Sequence, residues 1–121
     1  MLDLLVRNAT LPDGRTRMSI AVQDGRITEV TEGLAAPAHE TLDAQGLLLS
    51  PPFVDAHFHL DSALTYGQPR VNESGTLLEG IALWGELKPQ LTHDAIVERA
   101  LRYCDGAVAR GLLAIRSHVD T

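Results

Sequence analysis

Two histidines one residue apart, His57 and His59, sit in the stretch Pro51-Pro-Phe-Val-Asp-Ala-His57-Phe-His59-Leu-Asp61. Side chains of a strand alternate between its faces, so both imidazoles project to the same side. Two imidazoles held together at a strand end are suited to chelating one divalent metal ion. The plain alternative is a pair of solvated histidines beside a turn. Asp55 shares their face, either as a carboxylate supporting the metal site or as a buried acid hydrogen-bonded to backbone. Asp61 follows directly and either caps the next loop or touches the site. A second set, Arg116, His118 and Asp120, alternates onto the face opposite Ile115, Ser117 and Val119. That set either lines the mouth near the metal or, the reading we favour, forms a structural network inside the fold. His39 and His93 are expected to face solvent, and Cys104 to be a small core residue. Trp84 is expected to pack, with a place at a pocket rim as its alternative.

These residues need elements to hold them. Residues 53–59 read as a buried strand and residues 60–75 as a long loop. A helix over 76–87 ends before Pro89, with Gly80 and Gly85 lowering its propensity. Thr92 is suited to N-cap a second helix, in which Ile96, Val97, Ala100, Leu101, Cys104, Ala107 and Val108 recur at helical spacing. Gly111 is placed to be its C′ residue, and residues 112–119 read as a strand. Strand, helical crossover, strand is a βαβ unit, the beginning of a parallel sheet. Before Pro51-Pro52 the chain reads as short strands over 2–6, 18–22 and 27–30. The last two are joined by Asp24-Gly25, a pair suited to the positive φ of a hairpin turn. Residues 33–40 read as a loop and 47–49 as a further apolar run. The organisation expected is a β-module over 1–50 and an α/β unit over 51–121.

Composition narrows the function classes. The chain has 16 acidic and 10 basic side chains, a net charge of -6, and no basic cluster, so no nucleic-acid partner is expected. Its single cysteine excludes an intramolecular disulfide framework, a zinc ribbon, and the deaminases built on a Pro-Cys-x-x-Cys pair. Neither a secretory signal nor a stretch of ~18 apolar residues is visible, so a cytoplasmic protein without membrane partners is expected. At 121 residues the chain can bury one core but falls short of the ~200–250 residues of a (β/α)8 barrel.

Phe53-Val-Asp-Ala-His-Phe-His59, after a β-module ending in Asp43-Ala-Gln-Gly46, resembles the first-strand signature of the amidohydrolase superfamily of metal-dependent hydrolases. Within it, His59-Leu-Asp61, Gly67-Gln-Pro69, Ser74-Gly-Thr-Leu-Leu-Glu-Gly-Ile81, Leu91-Thr-His-Asp94 and Arg116-Ser-His-Val-Asp120 are similar to bacterial barrel-type cytosine deaminases. These motifs are shared with relatives acting on isocytosine, methylated cytosines or triazines. The resemblance implies an α/β fold, the N-terminal portion of a (β/α)8 TIM-like barrel preceded by a small β-sandwich-like module. It implies that His57 and His59 are ligands of a catalytic divalent metal, Fe2+ or Zn2+, which makes bound water acidic enough to give hydroxide at neutral pH. That hydroxide would attack the ring carbon bearing the exocyclic amine, and ammonia would leave. Leu77 matches the position whose backbone helps hold the pyrimidine, and residues 74–76 would form part of the pocket wall. The family's remaining ligands, its glutamate proton shuttle and its substrate-binding glutamine lie on later strands. No catalytic acid or base is therefore assigned, and the chain is expected to be an N-terminal portion without turnover of its own. The alternatives are an amidohydrolase for a cyclic amide or aminotriazine and, in another class, an inactive assembly module. The partners implied are a small cytosine-like base and either a second copy or the rest of the barrel.

Overall fold

The computed structural model describes residues 1–120, and the chain divides into two compact units, Met1–Pro51 and Pro52–Thr121. The first is a four-stranded sheet in the order β3-β2-β1-β4. Its strands are β1 (Leu2–Ala9), β2 (Met18–Gln23), β3 (Arg26–Glu32) and β4 (Ala38–Asp43). Asp24 and Gly25 adopt φ of 52° and 69°, and the Gln23↔Arg26 pair closes the expected β2–β3 hairpin. Val6, Ala9, Met18 and Ile20, from the two central strands, form the buried core, with Leu11, Ala44 and Leu49 packed against it. The module expected to be sandwich-like consists, among the described residues, of this one sheet.

One expectation for this unit needs correction. The loop predicted over 33–40 gives way at Ala38 to β4, which pairs parallel with β1. β4 is an edge strand whose residues are almost all exposed, so it lacks the apolar alternation by which strands are recognised. The apolar run at 47–49 forms only an isolated bridge, Thr10↔Leu48.

In the second unit, β5 (Phe53–His59) pairs parallel with β6 (Leu112–His118). The crossover between them holds α1 (Leu77–Leu87), a 3-10 turn (Lys88–Gln90) and α2 (His93–Val108). Each α-helix starts at a threonine. Thr76 Oγ1 accepts from the Glu79 N–H at 3.3 Å and Thr92 Oγ1 from the Ala95 N–H at 3.2 Å. α2 ends at its C-cap Ala109, so Gly111 lies one position beyond the expected C′ site, with φ of 81°. The Gly111 carbonyl accepts from the Phe53 N–H at 2.8 Å, which starts the parallel pairing. α2 is held to the sheet by Phe58 stacked on Tyr103, ring centroids 4.2 Å apart. It is held to the loop after β5 by Arg99, which donates to the carbonyls of Asp61 and Ala63 at 3.0 and 3.1 Å.

Candidate metal centre

The C-terminal end of β5 carries both histidines. Their ring centroids are 5.4 Å apart with planes at 58°. Two imidazole nitrogens bound at ~2.05 Å to one tetrahedral ion place their ring centroids ~5 Å apart, so this spacing suits a shared divalent metal. The ladder is irregular between Asp55 and Phe58, and there Asp55 accepts from the His57 N–H at 3.1 Å. Asp55 is thus tied to backbone, as in the second of its two predicted roles, but it is half-buried and not the buried acid expected there.

His118, paired with His59 in the β5–β6 register, stacks on His57 with centroids 4.1 Å apart and planes at 27°. Rings stacked face to face direct their in-plane lone pairs along near-parallel lines and not to a common point. His118 therefore braces His57. Arg116 is exposed, as are His39 and His93.

His59 has different surroundings. Among the described residues, one set of three metal-ligating side chains brings its donor atoms within 4.8 Å of one another: His59, Asp61 and Asp120. His59 Nδ1 lies 3.8 Å from Asp61 Oδ1 and 3.5 Å from Asp120 Oδ1. Asp61 is only 6% exposed, and its Oδ2 accepts from the Asp120 N–H at 3.0 Å. His59 Nδ1 and Asp61 Oδ1 are both buried without a hydrogen-bond partner among the described residues. The two imidazoles of β5 are donors of the kind that holds a divalent ion, while the orphaned nitrogen and carboxylate oxygen face each other on the Nδ1 side of His59.

A cavity of about 380 Å³ lies beside these groups and is lined by His59, Asp120, Leu77, Ile81 and Trp84, among others. Leu77 is the first residue of α1 and reaches this cavity. The wall contributed here is the α1 face from Leu77 to Leu87, and residues 74–76 are not part of it. Instead Ser74 and Thr76 brace the start of α1. The Ser74 N–H donates to Glu79 at 2.7 Å, and Arg70 bridges Glu79 and Glu86 at 2.8 and 3.0 Å. Trp84 takes its rim position, with Nε1 buried and unpartnered. Cys104 is half-buried. Nothing around Arg99 in the sequence marks it as the anchor of the Asp61 loop, because its contact is made 38 positions away.

A model of the amidohydrolase family matches residues 40–121. The chain belongs to the amidohydrolase family. Members of this family are hydrolases acting on C–N bonds and generally use a divalent metal. Over 122 residues this amidohydrolase chain is 31% identical to N-isopropylammelide isopropyl amidohydrolase of Pseudomonas sp. (strain ADP), covering 98% of this chain and 30% of the relative. Among solved structures, 5-methylcytosine deaminase from Klebsiella pneumoniae liganded with phosphonocytosine is 39% identical, with a TM-score of 0.82. That match covers 96% of this chain and 29% of the deaminase. N-isopropylammelide isopropylaminohydrolase from Burkholderia multivorans ATCC 17616 is 26% identical with a TM-score of 0.72, over 100% of this chain and 30% of its own. The amidohydrolase chain thus spans about 30% of the length of these relatives. Its fold is α/β, with a strand-rich first unit, and its structural neighbours are TIM-barrel proteins. Among the described residues, no helix is long and apolar enough to cross a membrane.

Proposed function

We propose that the chain contributes the first strands of a cytoplasmic, metal-dependent hydrolase that deaminates a cytosine-like N-heterocycle. In this reading His57 and His59 hold a divalent ion, Fe2+ or Zn2+. The observation that carries it is the pair of imidazoles 5.4 Å apart at the C-terminal end of β5, the end of a parallel strand where barrel enzymes place their chemistry. A bound divalent ion supplies Lewis acidity and lowers the pKa of water. The chain's own residues brace the His57 ring, through the stacked His118, and shape the cavity that Leu77 lines. At about 380 Å³ that cavity has room for a single-ring base. The likeness to 5-methylcytosine deaminase over 96% of the chain supports the substrate class.

A second reading, an aminotriazine or cyclic amide substrate, draws on the likeness to two N-isopropylammelide hydrolases. The resemblance puts the family's glutamate proton shuttle on later strands, so in this reading the isolated chain shows no turnover.

The test is to express the chain within its full reading frame, load it with Fe2+ or Zn2+, and follow loss of cytosine absorbance together with ammonia. Replacing His57 and His59 by alanine should abolish turnover, and activity surviving the double replacement removes their assigned role. Turnover of an N-alkyl aminotriazine with release of the alkylamine, or a ring-opened product without ammonia, favours the second reading.

A further inference from the structure

We propose that Asp61 and Asp120 are positioning residues that fix the proton of His59 on Nδ1, leaving Nε2 as the metal-binding nitrogen. This inference rests on the reading that His57 and His59 hold the ion. Asp61 and Asp120 both place an acceptor oxygen on the Nδ1 side of the ring, at 3.8 and 3.5 Å. An ionised carboxylate accepts and cannot donate, so a lone pair on Nδ1 would face two anions, whereas an N–H there is drawn toward both. Nδ1 is sealed from solvent and makes no hydrogen bond among the described residues, so these carboxylates, the acceptors beside it, are the ones toward which an N–H would turn.

Asp61 is itself held in place. Its Oδ2 is occupied by the Asp120 N–H, its carbonyl by Arg99, and its remaining oxygen, Oδ1, faces His59. The carboxylates would not also be ligands of the ion shared with His57. The two nitrogens of an imidazole point away from each other, so one ion cannot use both. An ion among Nδ1, Asp61 and Asp120 would forgo His57, which is not in that cluster. The buried Nδ1 and Asp61 Oδ1 also suit a hydrogen bond better than a catalytic ion, which keeps an open coordination position. Carboxylates on the far nitrogen of a metal-binding histidine set its tautomer, and their loss typically weakens metal binding ~10–100-fold.

Long-range 1H–15N correlation spectra of the metal-free protein expressed in its full reading frame, at a pH where the imidazoles are neutral, read the tautomer of His59 directly. The expected result is the Nδ1–H form. In Asp61→Asn the single amide oxygen is taken by the Asp120 N–H, which turns the NH2 group toward Nδ1. The tautomer should then switch to Nε2–H, and Zn2+ affinity should fall ~10–100-fold. Asp120→Asn, at a half-exposed side chain that tolerates replacement, should raise the Nε2–H fraction even if the buried variant does not fold. An Nε2–H form in the unmodified chain overturns the proposal, as does an unchanged tautomer in both variants. Zn2+ binding lost in the two Asp variants while the tautomer stays unchanged means that the carboxylates are ligands, and that result also overturns it. If the His59 tautomer is Nδ1–H and responds to both Asp variants, the positioning role stands whatever His57→Ala does. A His57→Ala chain that keeps Zn2+ affinity then counts against the metal assignment alone.

Discussion

His57 and His59 are neighbours on one strand face, yet they are supported differently. His57 is exposed and leans on His118, whereas His59 is half-buried and backed by two acids. An aromatic pair contributes about 0.5–1.5 kcal/mol. His118→Ala should therefore weaken Zn2+ binding only about 2–10-fold, while His57→Ala removes a ligand and should cost far more. Competition with a chromophoric chelator measures both, and equal losses would make His118 a ligand too. The histidine pair was legible from spacing alone, because strand periodicity is local information. The grouping of His59 with Asp120 was legible only as the less favoured option that Arg116, His118 and Asp120, on one strand face, line the mouth near the metal. It needs the parallel register that sets His59 opposite His118, and no local pattern prints that register.

At the scale of elements, the start of α1 is strapped by charge. Hydrogen bonding from Ser74, first by its side chain and then by its backbone, together with the Arg70 guanidinium, pushes the Glu79 carboxyl down from 4.5 to about 2. A carboxyl lowered in the folded state stabilises that state above its unfolded pKa, and this contribution disappears as pH falls through the folded value. The strap should therefore weaken between about pH 4.5 and 2, and Glu79→Gln should remove that pH dependence. Helical circular dichroism across an acid titration, for both proteins, checks this; matching curves would mean that the strap does not hold α1. At α2, Thr92→Ala should lower stability by about 1 kcal/mol, read from the denaturant midpoint, because the Ala95 N–H loses its acceptor. Both helix starts, β5 and the Asp24-Gly25 hairpin were readable because caps, turns and apolar runs are written locally. β4 was not. Its Ala38-His-Glu-Thr-Leu-Asp43 sequence offers no buried face, and the strand exists because β1 supplies backbone partners along it.

For the whole molecule, the second unit exposes much apolar surface. Phe53, Val54, Leu77, Leu78 and Leu113 are each more than 60% exposed, and β5–β6 is a two-stranded sheet with both edges unpaired among the described residues. Two strands are marginal in water, and open edges recruit further strands. The 121-residue chain in isolation should bind a hydrophobic dye and elute above its 13.1 kDa monomer mass in light-scattering chromatography. A dye-negative monomer would show that these faces are satisfied as they stand.

The hydrogen bond from the Asp120 N–H to Asp61 joins positions 59 apart in the sequence. Closing a chain loop of that length costs on the order of 4 kcal/mol of conformational entropy, spent before any contact at the site is made. The helices between can form from local signals, but the surroundings of His59 exist only once the two strand ends meet. The site is therefore a non-local, late product of folding. Where the His59 proton resides becomes a record of whether the crossover has closed.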